Sequence, residues 1–107
     1  MAKNTVDFDT VRSIGLALPG VEAAEAYGGR ALKVHGKLLA CEPRHRSAEP
    51  GSLAVRIDFD DRAALLAEAP DIYYVTDHYV EYNSVLVQLS RITPDILRDI
   101  LGMAYRL

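Results

Sequence analysis

Two stretches of the chain, one near its start and one at its end, carry apolar residues at helical spacing. The first covers residues 7–18, where the apolar residues three or four positions apart are Phe8, Val11, Ile14 and Leu18. Asp7 can cap this helix, and Pro19-Gly20 ends it. Thr93-Pro94 begins the last helix, which runs to the end of the chain, with a capping side chain and then proline at the first helical position. A shorter helix is predicted from residue 60 or 61 to residue 69.

Alternation of apolar and polar residues predicts strands at 30–35, 38–42, 53–59 and 84–89. The pattern is cleanest in the third strand, where the residues expected to face inward are Leu53, Val55, Ile57 and Phe59. Gly36-Lys37 predicts a tight turn that joins the first two strands into a hairpin. A weaker pattern at 22–27 is compatible with one earlier strand.

The predicted order is a helix, three strands, a helix, one or two strands and a last helix. Short connections between strands favour antiparallel pairing, and an antiparallel sheet with helices mainly on one face is an α+β domain. A chain of 107 residues fits one such domain, residues 1–107. We expect the other face of the sheet to be left to solvent or to a partner.

Charge is distributed unevenly along the chain. The net charge of −3 argues mildly against bulk affinity for nucleic acid. Residues 30–56 nevertheless carry +4, whereas the segments before and after carry −2 and −5. The six basic residues in this quarter of the chain are Arg30, Lys33, Lys37, Arg44, Arg46 and Arg56. They are either ordinary charges of solvated strand edges or one functional cationic face.

The number and spacing of cysteines and histidines limit the kinds of site that the chain can form. Cys41 is the one cysteine, which excludes an internal disulfide and a thiolate-rich zinc site, and its aliphatic neighbours favour a small core residue. His35, His45 and His78 lack metal-ligand spacing, so no metal is expected. No catalytic or cofactor-binding motif occurs, and we expect no cofactor. Without a secretory segment or an apolar run of about 20 residues, the chain is expected to be a soluble cytoplasmic protein.

Residues 73–82 hold four of the six tyrosines and one of the three histidines, which makes this stretch the first candidate for a site. His78 could contact a phosphate or act as an acid or base tuned by a neighbouring carboxylate, or it could be a structural residue tied to the backbone. Thr76 is expected to orient the turn. Tyr79 is expected to be mostly buried, as is Tyr73, while tyrosines such as Tyr82 could stack on bases or belong to the core.

The basic residues form the second candidate. If the hairpin pairs with the strand at 53–59, Lys33, His35 and Arg56 share the open sheet face, partly neutralised by Asp58. The loop Arg44-His45-Arg46 would flank that face, where its guanidinium groups could reach phosphates. The same loop could equally be a solvated connection.

Several pieces of the chain resemble the YjbR-like, or MmcQ/YjbR, family. In the first half they lie at 16–22, 27–29 and 33–40, and in the second half at 70–73, 76–79 and 85–89. The resemblance implies a small α+β domain with the order α-β(3)-α-β(2)-α, and it implies DNA binding, the activity by which members are described. Asp77 stands where the family often has proline, and its negative charge beside His78 weakens a phosphate role for that loop.

Two hypotheses of function follow. The first is weak, mainly electrostatic DNA binding through Lys33, Lys37, Arg44, Arg46 and Arg56. The alternative is a non-enzymatic module that binds a protein or a small ligand through residues 73–82, with a homodimer as one form of it. The residues it would use are Thr76, His78, Tyr79 and Tyr82. An enzyme that uses His78 is a third, weaker hypothesis.

Overall fold

The computed structural model of the protein describes residues 6–26 and 28–107. The elements, in chain order, are α1 (Phe8–Leu16), β1 (Val21–Ala26), β2 (Gly29–Val34), β3 (Lys37–Cys41), β4 (Ser52–Arg56), α2 (Phe59–Glu68), β5 (Tyr73–Tyr74), β6 (Ser84–Gln88) and α3 (Pro94–Tyr105). The strands form one antiparallel sheet in the order β1-β2-β3-β4-β6-β5. A short 3-10 turn, Leu89–Arg91, connects β6 to α3.

The predicted α+β class is confirmed, with one strand more than the predicted order. Four strands rather than three precede α2, because the weak pattern at 22–27 forms β1. Its alanines and glutamates pair along the whole length of β2, so the neighbouring strand rather than local propensity stabilises it. Tyr27, the last residue of that predicted strand and part of the family resemblance, lies outside the described residues.

Side-chain caps fix where the helices begin. The Asp7 carboxylate accepts a hydrogen bond from the Thr10 amide at 3.0 Å, as predicted for α1. Asp58 does the same for α2 by accepting from the Asp61 amide at 2.7 Å. The prediction that the strand continues to residue 59 was therefore wrong: β4 ends at Arg56, and Phe59 becomes the first residue of α2, 50% exposed.

The β2–β3 hairpin turns one residue earlier than predicted. His35 and Gly36 have φ angles of 53° and 77°, and Val34 pairs with Lys37 across the turn. A two-residue hairpin turn of this kind requires positive φ at both central residues, which glycine adopts freely and histidine tolerates. His35 consequently lies in the turn and not on a face of the sheet.

The two faces of the sheet differ in how they are covered. On one side, the helix face, α1 and α3 pack on aliphatic strand residues, including Leu32, Leu53, Val55, Val85 and Val87. On the other side, the back face, the buried residues are Ala31, Cys41, Ala54 and Leu86. Two connections cover part of this face, loop 43–51 between β3 and β4 and segment 75–83 between β5 and β6. The back face is therefore not the open surface that the sequence predicted.

Candidate functional site

A pocket of about 390 Å³ lies on the back face, between the sheet, loop 43–51 and segment 75–83. Its floor consists of short strand side chains, since Cys41 and Ala54 lie where larger residues would fill the space. The residues that line it are Leu38, Cys41, Glu42, Pro43, Arg44, His45, Ala54, Val55, Arg56, His78, Tyr79, Tyr82, Asn83 and Ser84. A volume of this size is typical of small-molecule sites.

Two stacked histidines join the walls of the pocket. The rings of His45 and His78 are 3.6 Å apart between centroids and nearly parallel, at 9°. Tyr79 meets the His78 ring edge-on, with centroids 4.8 Å apart. Because His45 belongs to loop 43–51 and His78 to segment 75–83, this cluster fixes the position of one wall relative to the other.

Hydroxyl groups reinforce the same junction. Ser47 Oγ lies 2.8 Å from His45 Nδ1 and 2.8 Å from Thr76 Oγ1. The Ser47 amide also donates to His45 Nδ1 at 3.1 Å. Thr76, predicted to orient its own turn, thus makes its side-chain contact with the opposite wall, through Ser47.

Tyr74 anchors the far end of loop 43–51. Its hydroxyl accepts a hydrogen bond from the Glu49 amide at 2.8 Å and also pairs with the buried Ser52 hydroxyl. Gln88 donates to the Glu49 carboxylate at 2.8 Å. The loop is held at both ends, so the pocket wall that it forms has a defined position.

Arg62 of α2 holds segment 75–83 from the other side. Its guanidinium donates to the carbonyls of Val80, Tyr82 and Ser84 at 3.0, 2.8 and 3.2 Å. It also lies over the Phe59 ring, 4.7 Å from the centroid. Sequence reasoning missed this residue, because nothing in its local pattern separates it from an ordinary arginine on a helix surface.

The predicted cationic residues divide into three groups. Arg44 and Arg56 line the pocket. Lys33 pairs with Leu38 and Glu22 across the strands, which places it on the back face beside a carboxylate-bearing neighbour. Lys37 pairs with Val34 and therefore lies towards the helix face, while Arg46 is exposed on loop 43–51 away from the pocket lining.

Arg30, the sixth cation of the basic segment, is already matched by acids. It forms ion pairs with Asp9 at 3.2 Å and with Glu42 at 3.0 Å, and it stacks on Phe8. The hydrogen bond from Arg30 lowers the pKa of Glu42, so the one carboxylate among the pocket-lining residues stays ionised and occupied. The positive residues of the basic segment therefore scatter, except for the pair in the pocket.

Electrostatics in the pocket favour an anion. Arg44 and Arg56 form no ion pair within 4.0 Å among the described residues 6–26 and 28–107. Burial, followed by the neighbouring His78 and Arg46, lowers the pKa of His45. Burial together with the charge of Glu42 raises the pKa of Cys41 to about 11, so its side chain is a neutral thiol near neutral pH. The pocket thus combines two free guanidinium groups with a floor that carries no charge.

The tyrosines occupy three different environments. Tyr73 is 6% exposed on the helix face, as expected. Tyr79 is half-buried on the back face, less buried than expected, and burial raises its pKa. Tyr82 is 57% exposed and lines the pocket, which leaves much of its ring accessible.

Two absences hold for the part of the chain that the structure describes. No group of three or more His, Cys, Asp or Glu side chains there could hold a metal ion. No helix there has the length and apolar character to cross a membrane.

The fold and the pocket together define an α+β domain with helices on one face of an antiparallel sheet and a ligand-sized pocket on the other. The sequence model of the YjbR family matches residues 16–107, and the chain belongs to that family. The crystal structure of the Deinococcus radiodurans protein DR2400, a DUF419 domain, is similar to it with a TM-score of 0.74 and 18% identity, over 98% of this chain and 80% of that chain. At this identity the similarity shows the fold alone. No curated protein matches the chain.

Proposed function

We propose that this protein binds a small planar anion, such as an aromatic phosphate, in the back-face pocket. One observation carries the proposal: two guanidinium groups without carboxylate partners lie beside accessible aromatic rings, around an uncharged floor. That combination matches the common design of ligand pockets, in which an apolar surface carries a few converging polar groups.

Arg44 and Arg56 would hold the charged group of the ligand. Guanidinium presents a planar fork of donors that suits phosphate and carboxylate oxygens. Arg56 comes from the end of β4, a rigid element, whereas Arg44 comes from loop 43–51 and packs its side chain against Gly29. Because both side chains line the same pocket, we expect both to contact one anionic group there.

His78 and Tyr82 would hold the planar part. Their ring centroids lie 6.0 Å apart, and Tyr82 is largely exposed at the mouth of the pocket. Aromatic rings of this kind stack on planar ligands through dispersion and complementary edges and faces. The neutral thiol of Cys41 adds apolar contact at the floor rather than a nucleophile.

Nuclear magnetic resonance with phenyl phosphate as the probe tests the proposal. Millimolar probe should shift backbone amide signals of residues 41, 42, 44, 45, 54–56, 78, 79 and 82–84, which line the pocket, and leave those of α3 unchanged. Arg56→Gln should weaken binding by about tenfold or more, since a hydrogen bond to a charged group contributes about 1.5–3 kcal/mol.

Arg98→Gln is the matched control. Arg98 pairs with exposed Asp95 on α3, so this substitution also removes one positive charge but does not touch the pocket. If Arg98→Gln weakens phenyl phosphate binding as much as Arg56→Gln does, the effect comes from net charge and not from the pocket. Shifts scattered over the surface, or none at all, would reject the pocket as a site for aromatic anions.

DNA binding is the second candidate, and one observation favours it. Arg44 and Arg56 line the back-face pocket, Lys33 lies on the same face and Arg46 is exposed on loop 43–51. None of the four forms an ion pair within 4.0 Å in the described part of the chain. The overall charge of −3 and the pairing of Lys33 with Glu22 oppose it. Its cationic surface is consequently smaller than the basic segment predicted.

A salt titration distinguishes DNA binding from pocket binding. Fluorescence polarisation with a labelled oligonucleotide should show affinity that falls steeply above about 50 mM salt, and the double variant Arg44→Ala, Arg46→Ala should flatten the slope. Lys37→Ala is the control, because Lys37 lies towards the helix face. An absence of binding at about 50 mM salt removes this candidate.

Homodimerisation through residues 73–82 stays a prediction. Exposed Val80 and Tyr82 are the apolar side chains that such a contact would cover. Light scattering checks it: a dimer that Tyr82→Ser converts to monomer supports this form, and a monomer at every concentration removes it.

A further inference from the structure

We propose that His45 and His78 form a proton-operated latch between the two walls of the pocket, closed when the rings are neutral and open when both carry a proton. The inference rests on the proposed function for its purpose, since the latch would govern entry to the anion pocket. Its test needs no ligand.

The geometry of the stack is the first argument. Rings 3.6 Å apart at 9° pack well when they are neutral, but two imidazolium ions at that distance repel each other. Histidine is the side chain that changes charge between about pH 5 and pH 8. The contact that joins the two walls is therefore made by two groups that acquire the same charge in a narrow pH range.

The second argument is the hydrogen bond at His45 Nδ1. This nitrogen accepts from the Ser47 amide at 3.1 Å, and it can do so only while it carries no proton. Ser47 in turn is bonded to Thr76 on the opposite wall. Protonation of His45 Nδ1 thus removes the bond from the Ser47 amide, while the contact with the Ser47 hydroxyl at 2.8 Å remains with the ring as donor, and it adds charge to the stack.

The charges around the pair favour opening once the second proton binds. Arg44 and Arg46 lie beside His45 in the sequence, and Arg56 lines the same pocket from β4. Of the acids, Glu42 next to β3 is held by Arg30, while Asp77 is exposed next to His78 in the sequence. Cys41 and Tyr79 have raised pKa values and stay neutral throughout.

Hydrogen exchange of single amides tests the latch without ligand. The reporters are amides bonded within each wall next to the stack: Ser47 to the His45 ring, Ala48 to the His45 carbonyl, and Tyr79 to the Thr76 carbonyl. From about pH 7.5 to about pH 5, after correction for intrinsic rates, their exchange should rise about fivefold, the factor expected for two like charges about 4 Å apart at an exposed site. The amide of Leu97 in α3, bonded to the Thr93 carbonyl, is the reference and should not change.

Two variants make the result specific. His45→Phe keeps a planar ring in the stack but cannot be protonated, so the pH-dependent rise should disappear. His78→Gln removes the stacked partner and its charge, so the pH-dependent rise should disappear at Ala48 and Tyr79, while Ser47 keeps the part that comes from its bond to His45 Nδ1. His35→Asn is the control: His35 lies in the β2–β3 turn outside the pocket lining, asparagine tolerates the positive φ there, and the variant should behave as the original chain does.

The latch proposal is wrong if exchange of the reporter amides does not respond to pH, or if His45→Phe shows the same pH-dependent rise as the original chain. It is also wrong if exchange of the Leu97 amide rises by the same factor. Failure of the anion-binding proposal would appear separately, as a closed and pH-responsive pocket that does not bind phenyl phosphate.

Discussion

The two faces of the sheet are packed differently, although the same strands form both. On the helix face, branched and long aliphatic side chains such as Leu53 and Val85 are fully buried under α1 and α3. On the back face, the alternate positions of the same strands carry Ala54 and Cys41, and the cover consists of loops held by hydrogen bonds. One face fills its volume, and the other leaves a pocket of about 390 Å³.

This difference separates stability from binding. The helix face buries apolar surface at roughly 25 cal/mol per Å², so it contributes most of the free energy of folding. Walls made of loops and hydroxyl contacts open at a lower free energy than the core does. Substitutions on the helix face should therefore change the unfolding free energy, and substitutions on the back face should change the pocket first.

Leu97→Ala should show the largest effect. Leu97 is fully buried in α3 against the helix face, and truncation of such a leucine costs about 2–5 kcal/mol through lost burial and the cavity left behind. Urea denaturation followed by circular dichroism measures it. The pocket amides should keep their chemical shifts, and large shifts there would contradict the separation of the two faces.

Tyr74→Phe should give an intermediate effect on the back face. The hydroxyl that it removes accepts from the Glu49 amide and pairs with Ser52, whose side chain is 7% exposed. Leaving the buried Ser52 hydroxyl without this partner costs about 1–3 kcal/mol. Tyr105→Phe on the helix side is the control, because the Tyr105 hydroxyl donates to Pro19 in an exposed position. A loss equal to that of the control would mean that the loop is not anchored by Tyr74.

Arg62→Ala should act mainly on segment 75–83. Three carbonyls of that segment and its junction with β6 lose their donor, at an overall cost of about 1–2 kcal/mol. Amide exchange in residues 79–82 should accelerate more than exchange in β4 or α3. Arg98→Ala, which removes only an exposed pair with Asp95, should change stability by less than about 0.5 kcal/mol. An unaltered exchange pattern in Arg62→Ala would show that the wall holds itself in place.

Local signals explain which parts of the fold could be predicted. Asp7 and Thr93 cap α1 and α3 as expected, because a capping side chain contacts an amide only three residues away. β1 gave only a weak pattern, since its stability comes from pairing with β2. The end of β4 was misplaced because Asp58 belongs equally well to an alternating strand and to a helix cap, and only the capping geometry decides between them.

The site was predictable only in part, because local signals indicate its separate walls but not their contact. The density of aromatic residues at 73–82 indicated one wall of the pocket, and the Arg44-His45-Arg46 loop indicated the other. Their meeting depends on how β4 and β6 pair, which no local pattern specifies. The His45–His78 stack and the contacts of Arg62 are long-range and could not be read from spacing.

The reactivity of Cys41 tests the difference between the two faces with the smallest expected effect on the fold, because it needs no substitution. Burial on the back face, followed by the charge of Glu42, raises the pKa of its thiol from 9.0 to about 11. Since the thiolate is the reactive form, alkylation by iodoacetamide at about pH 8 should be about 100-fold slower in the folded protein than in urea, two pKa units of thiolate population. The raised pKa also stabilises the fold fully below pH 9.0, and this contribution is lost as the pH rises through about 11. Phenyl phosphate bound in the pocket should slow alkylation of the folded protein further. Comparable alkylation rates in folded and unfolded protein would instead show that the floor of the pocket is open to the reagent.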